Sequence, residues 1–170
     1  MCIQCDGASM DEVLFHLHGI IERNGWAVVP VEAAQGRLGW AYTIGLTERF
    51  GHPELVAAGL APAEAARLLN AGARLIAGGG HLRPDEPDAM AIPAAGEVRP
   101  VHHRQLEAGL VAFWVQYYTS LGRHDLPLQA LQLCAPLLAD GPSGGVPPPR
   151  LDRPVPLLAG PNRRPPGHRT

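Results

Sequence analysis

The sequence predicts an α+β domain: a mostly antiparallel sheet of about five strands packed against two or three helices, followed by a proline-rich C-terminal extension. Three observations lead there. Three stretches carry apolar residues at helical spacing. Short strand-like runs lie between them, and the first of these are joined by connections too short for a parallel crossover. The composition then shifts at about residue 136, where proline and arginine take over.

Residues 9–24 read as the first helix. Ser9 and Glu12 have the spacing of a capping box, in which each side chain satisfies a backbone donor of the other. Met10, Leu14, Leu17 and Ile21 share one face, with Val13 and Ile20 on its flank, and Gly25 stops the helix. Residues 26–31 form a strand-like run in which Pro30 suggests an edge or an end. Gln35-Gly36-Arg37 is turn chemistry. Residues 39–45 and 54–58 supply two further strands, so the three make an antiparallel meander. A second helix covers 62–77, with Pro62 at its first position and Ala65, Leu68, Leu69, Gly72, Leu75 and Ile76 as its buried stripe. Gly78-Gly79-Gly80 ends it. Residues 80–95, with Pro84, Pro87 and Pro93, read as a loop, and residues 96–101 as a short strand. A third helix runs over 104–120, with Leu106, Leu110, Phe113, Trp114 and Tyr117 on one side. Residues 128–134 form the last strand.

Residues 1–135 are expected to be the single folded domain. The extension, 136–170, holds 10 of the 18 prolines and five arginines against two aspartates. Such a segment buries little. It either covers a partner or the site, or drapes over the surface.

Composition excludes several functions. The 170 residues are 46 % hydrophobic, enough for a core, and only 18 % charged, with a formal net charge of -2. That balance gives no footprint for nucleic acid or an anionic membrane. No apolar run is long enough to cross a bilayer, and the N-terminus lacks a secretory pattern, so a soluble cytoplasmic protein is expected. All 14 basic side chains are arginine. Without lysine there is no Schiff-base chemistry, hence no pyridoxal phosphate, and no Walker-type nucleotide phosphate loop.

Of the three cysteines, Cys2 and Cys5 form a C-x-x-C pair, and Cys134 reads as a small buried hydrophobe. Two thiolates at that spacing can share a soft transition metal such as zinc or iron, or act as a redox or reactive pair. They supply half of a tetrahedral site, so a histidine must help complete it. His52, in the polar segment Gly51-His52-Pro53-Glu54, is the candidate third ligand or general base, and Glu54 would orient it or act as an acid. The plainer alternative is a turn whose histidine packs or caps. Tyr42 is a candidate hydrogen-bonding acid, although a core tyrosine is the commoner role. His16 and His18 diverge on the first helix. One of His102 and His103 could complete a site with the cysteines. Gly141-Pro142-Ser143-Gly144-Gly145 matches a nucleophile elbow in letters only, because prolines follow where a helix is required.

Several of these pieces occur together in a fixed order. Cys2-x-x-Cys5-Asp6-Gly7 comes first, then Gly25-Trp26, Tyr42-Thr43-Ile44-Gly45-Leu46 and Gly51-His52-Pro53-Glu54-Leu55. Gly59-Leu60, Leu68-Leu69-Asn70 and Leu131-Gln132 follow, and Pro149-Arg150-Leu151-Asp152 gives a weaker echo. The set resembles the mostly actinobacterial family known as domain of unknown function 4262, over about residues 1–135. Residues 139–148 depart from it: family members often carry an acidic, Trp-Pro-Trp stretch after the last strand, and this chain has no tryptophan there. The family has no established reaction, so the resemblance implies a fold and a site location.

The expected function is a small soluble enzyme that acts on a small-molecule substrate through Cys2 and Cys5, metal-assisted, with His52 in the same pocket. A homo-oligomer is compatible with the sequence. Two alternatives belong to other classes: a non-catalytic binding or regulatory module with a structural metal, and a metal-free, cyclase- or isomerase-like pocket protein of a biosynthetic pathway.

Overall fold

Five strands of five residues or fewer, each with at least one buried position, need cover on both sides, and three longer helical stretches provide it. The computed structural model describes residues 9–33, 38–84, 92, 96–135 and 149–154. The elements run α1 (Met10–Asn24), β1 (Ala27–Val31), β2 (Trp40–Ile44), α2 (Leu46–Phe50), β3 (Glu54–Ala58) and α3 (Pro62–Ala77). They continue with β4 (Glu97–Pro100), α4 (His103–Gln105), a kinked segment (Leu106–Leu110), α5 (Ala112–Ser120) and β5 (Ala130–Cys134).

The sheet order is β1-β2-β3-β5-β4. The pairs β1–β2, β2–β3 and β4–β5 are antiparallel, and only β3–β5 is parallel. The fold is therefore α+β with a mostly antiparallel five-stranded sheet, and its first three strands form the expected meander. Side chains alternate across the sheet and feed two cores. On one face Val29, Tyr42, Ile44, Val56, Ala58 and Ala130 meet α1 and α5. On the other, Ala41, Leu55, Ala57, Leu131 and Leu133 meet α3. None of the described helices is long and apolar enough to cross a membrane.

The local signals work as written. Ser9 Oγ accepts from the Glu12 N–H at 3.3 Å, and the Glu12 carboxylate accepts from the Ser9 N–H at 2.7 Å. Gly25 closes α1 at φ +88°, donating its N–H to the Ile21 carbonyl at 2.8 Å. The buried stripe of α1 is Val13, Leu17 and Ile21, slightly rotated from the one expected, with Leu14 and Ile20 at its margins. Helix α3 comes close to the sheet at Gly72, where an added Cβ would lie 2.7 Å from Leu55 Cδ1.

Two further features differ from the sequence expectation. A short helix, α2, occupies the β2–β3 connection. The third helix is also not continuous over 104–120: it breaks at Gly109, whose backbone is left-handed at φ +94°. A break frees backbone groups that must find new partners. Two side chains of β2, two residues apart and so on one face, take them. Trp40 Nε1 donates to the Leu110 carbonyl at 2.8 Å, and Tyr42 Oη accepts from the Phe113 N–H at 3.0 Å. A polypeptide that breaks its helix beneath two hydrogen-bonding aromatics loses little.

Gly45 sets the path from β2 into α2. It sits at φ +121°, and a Cβ there would lie 2.6 Å from the Gly25 carbonyl oxygen. Gly51, at φ +63°, faces open space. Gly51→Ala should therefore cost about 1 kcal/mol, the left-handed penalty alone. Gly45→Ala should cost clearly more, about 3 kcal/mol, because strain and a backbone clash add. Thermal or chemical denaturation of the two variants checks the order.

Candidate functional site

Glu54 opens β3 with its side chain at 1 % exposure. A buried carboxylate needs donors, and the tight turn at Gly45 delivers them. Oε1 accepts from the N–H groups of Gly45 and Thr47, both at 3.1 Å. Oε2 accepts from the Leu46 N–H at 3.4 Å and from Thr43 Oγ1 at 2.6 Å. The indole of Trp114, on α5, donates to Oε1 at 3.3 Å. Thr43 Oγ1 in turn accepts the Leu55 N–H at 2.8 Å. Every one of these donors is neutral. Burial pushes the Glu54 carboxyl above the usual carboxylate range, and the bonds from Thr43, Thr47, Gly45 and Leu46 oppose that shift without cancelling it.

Two buried hydroxyls beside this nest, Thr47 Oγ1 and Tyr118 Oη, have no hydrogen-bond partner among the described residues. The Tyr118 ring packs 4.7 Å from that of Trp114. Burial raises the Tyr118 phenol, and the charge of Glu54 raises it further. Tyr117, one residue earlier, bonds His18 Nδ1 at 2.9 Å and is pushed up to about 12, mainly by burial.

Tyr42 lies on the same sheet face as Glu54, since it pairs with Val56, two residues along β3. Its phenol is held by Phe113, and Glu54 is held by Trp114, so the two grip adjacent residues of α5. Tyr42 is 1 % exposed, and burial raises its pKa.

His52 is placed elsewhere. Its ring is 4 % exposed, and both nitrogens meet backbone. With the proton on Nδ1, that nitrogen donates to the Pro53 carbonyl at 2.8 Å, and Nε2 accepts the Leu82 N–H at 3.1 Å. The bond fastens the segment after α3 to the α2–β3 corner. Leu82 itself packs in the α3-side core, away from the Tyr42 face. The structure thus brings Tyr42 and Glu54 together and sets His52 on a separate clamp. Neither ring nitrogen of His52 is free in this arrangement.

Cys2 and Cys5 lie outside the described residues. Among the described residues, no group of three or more His, Cys, Asp and Glu side chains could hold a metal. His16 is exposed on α1. His102 caps α4, accepting the Arg104 N–H on Nδ1 at 3.2 Å, and its ring stacks on His103.

Sequence reasoning singled out Glu54 and Tyr42 and missed the backbone donors and the Trp114 indole that hold Glu54. Backbone N–H groups leave no mark in a sequence, and Trp114 reads as one more apolar stripe residue. Gln132 carried a usable signal: it is a polar residue within the apolar run of β5, and it is fully buried.

A family model described as Domain of unknown function (DUF4262) matches residues 20–138, a span that begins after both N-terminal cysteines. The searches of curated proteins and of solved structures returned no significant match.

Two outcomes follow from this geometry. Tyr42→Phe keeps the ring and removes the acceptor, which strands the Phe113 N–H. It should lower stability by about 1–3 kcal/mol in denaturant titration. For Glu54 the folded carboxyl holds its proton to higher pH than the unfolded one, whose value is near 4.5. As pH rises, the unfolded chain ionises first. The contribution of this group is therefore fully present below the unfolded value and is lost as pH climbs through the folded one. The stability gap between wild type and Glu54→Gln should be widest in acid and narrow as the pH rises past 4.5. A gap that widens instead contradicts the assignment.

Proposed function

The chain belongs to the DUF4262 family of domains of unknown function, and we propose that it is a small enzyme acting on a small-molecule substrate through the thiolates of Cys2 and Cys5. The observation that carries this reading concerns the third cysteine. Cys134 is 3 % exposed and burial pushes its thiol up to about 11, which sets it aside as a nucleophile at neutral pH and leaves Cys2 and Cys5 as the candidates for such chemistry. The pair precedes the capped start of α1 by a few residues in the sequence.

A C-x-x-C pair suits zinc or iron, and such a metal would polarise a carbonyl or activate water. His52 joins the pair as a ligand or base only if the Leu82 N–H lets go of Nε2. In the arrangement described it acts as a positioning residue, as do Glu54 and Tyr42. The reading places the chain in a reducing cytoplasm, where free thiolates persist.

A second reading draws on the same commitments. Tyr42, His52 and Glu54 all spend their polar atoms on the frame, as expected of a non-catalytic binding or regulatory module in which the cysteines hold a structural metal.

The test is elemental analysis of the purified chain beside a Cys2→Ser/Cys5→Ser variant, with thiol titration of both. The enzyme reading expects about one metal per chain, lost from a variant that stays folded. It also expects two thiols that react in the native, chelator-treated protein and are absent from the variant, with Cys134 reacting only on unfolding. Loss of the fold together with the metal supports the structural-metal module. Native thiols that stay slow after chelation sink the enzyme reading.

A further inference from the structure

Residues 149–153 lie across the sheet in the manner of a bound peptide. Gln132 points both ends of its amide at them: Nε2 donates to the Pro149 carbonyl at 2.7 Å, and Oε1 accepts the Leu151 N–H at 3.0 Å. The His102 N–H donates to the Leu151 carbonyl at 2.8 Å, and Gln105 Nε2 donates to the Arg153 carbonyl at 2.9 Å. All four bonds read main chain. Leu151 is the apolar anchor, with 0 % exposure in the core shared with α1 and α5. Pro149 sits over Gly59, where a Cβ would lie 2.9 Å from its Cδ. The outward side chains Arg150 and Asp152 pair with each other at 2.7 Å.

We propose that the groove bounded by Gly59, Gln132, His102 and Gln105 is a recognition site for an extended Pro-x-Leu peptide, and that residues 149–153 are its resident ligand. Gln132 is the key observation. A fully buried amide whose two ends face a peptide backbone is costly unless a peptide is there. Side-chain selectivity falls on two positions only, the proline over Gly59 and the leucine in the core. The route also fits a tethered ligand. Residues 136–148 lie between Ala135, the residue after β5, and the strap, yet the strap returns to Gln132 on β5 itself. Thirteen residues span up to about 40 Å when extended, so the tether does not force the strap into place. It keeps the strap at a local concentration on the order of millimolar.

The probe is a fluorescein-labelled synthetic peptide with the sequence of residues 149–154, titrated into the full-length chain and into Leu151→Ala. The variant removes the strap's apolar anchor while leaving Gly59, Gln132, His102 and Gln105 unchanged. Binding to the variant should be at least about tenfold tighter than to wild type, and should vanish when the leucine of the peptide is replaced by alanine. Equal binding to both proteins, or binding to neither, overturns the proposal. A concentration-dependent wild-type dimer that the peptide dissociates assigns the groove to a second copy and overturns residency in cis. Should Leu151→Ala not fold, hydrogen exchange on the wild-type chain decides. The amides of Leu151 and His102 should exchange through one local opening, ahead of those of Leu131 and Leu133 in β5. Exchange of all four through global unfolding alone makes the strap a fixed part of the core and ends the proposal.

Discussion

A carboxylate held by no cation among the described residues sits where β2, α2, β3 and α5 meet, and most of the architecture is arranged to tolerate it. The turn at Gly45 exists in a conformation that aims three successive N–H groups at Glu54. Thr43 and Trp114 bring their donors from a strand and a helix far apart in sequence. Five neutral donors spread the negative charge, which a single arginine would do at the cost of desolvating a second ion. The outcome is a junction with little latitude. Any shift of α5 or α2 away from the sheet leaves buried polar atoms unpaired.

The helix break on the same face follows one logic with that junction. A continuous helix over 104–120 would need no help from β2. The break at Gly109 instead gives up backbone bonds, and Trp40 and Tyr42 replace them. Trp40, Tyr42 and Glu54 thus hold three consecutive parts of the helical segment, at Leu110, Phe113 and Trp114. The sheet positions that helix by polar contacts as well as by apolar packing, which fixes its rotation about its own axis more tightly than methyl groups alone do.

The sequence made the elements legible because their signals are local. The Ser9 capping box, the Gly25 stop, Pro62 at a helix start and the apolar runs of the strands each involve residues within a few positions of one another. What stayed hidden is non-local. Nothing near Gly109 announces a break, because its rescuers sit about 70 residues earlier. The parallel β3–β5 pair cannot be read from connection length. Tyr42, His52 and Glu54 were legible as chemically capable groups, yet their employment by backbone partners was not. The motif pieces behind the family resemblance meet in pairs. Trp26 bonds Asn70, Thr43 and Gly45 bond Glu54, and Gln132 bonds Pro149 and Leu151. Much of what looks like a functional signature in one dimension is a set of latches in three.

The strand order carries a consequence for how the chain is made. β5 lies between β3 and β4, so β4 leaves the ribosome with no neighbour to bond. The amino-terminal meander and α3 can assemble during synthesis, whereas β4 waits for residues more than thirty positions downstream. For that interval β3 and β4 each lack the neighbour that β5 supplies. Both gain it when β5 arrives, by the kind of non-local pairing that in general forms slowly and leaves strand edges exposed in the meantime.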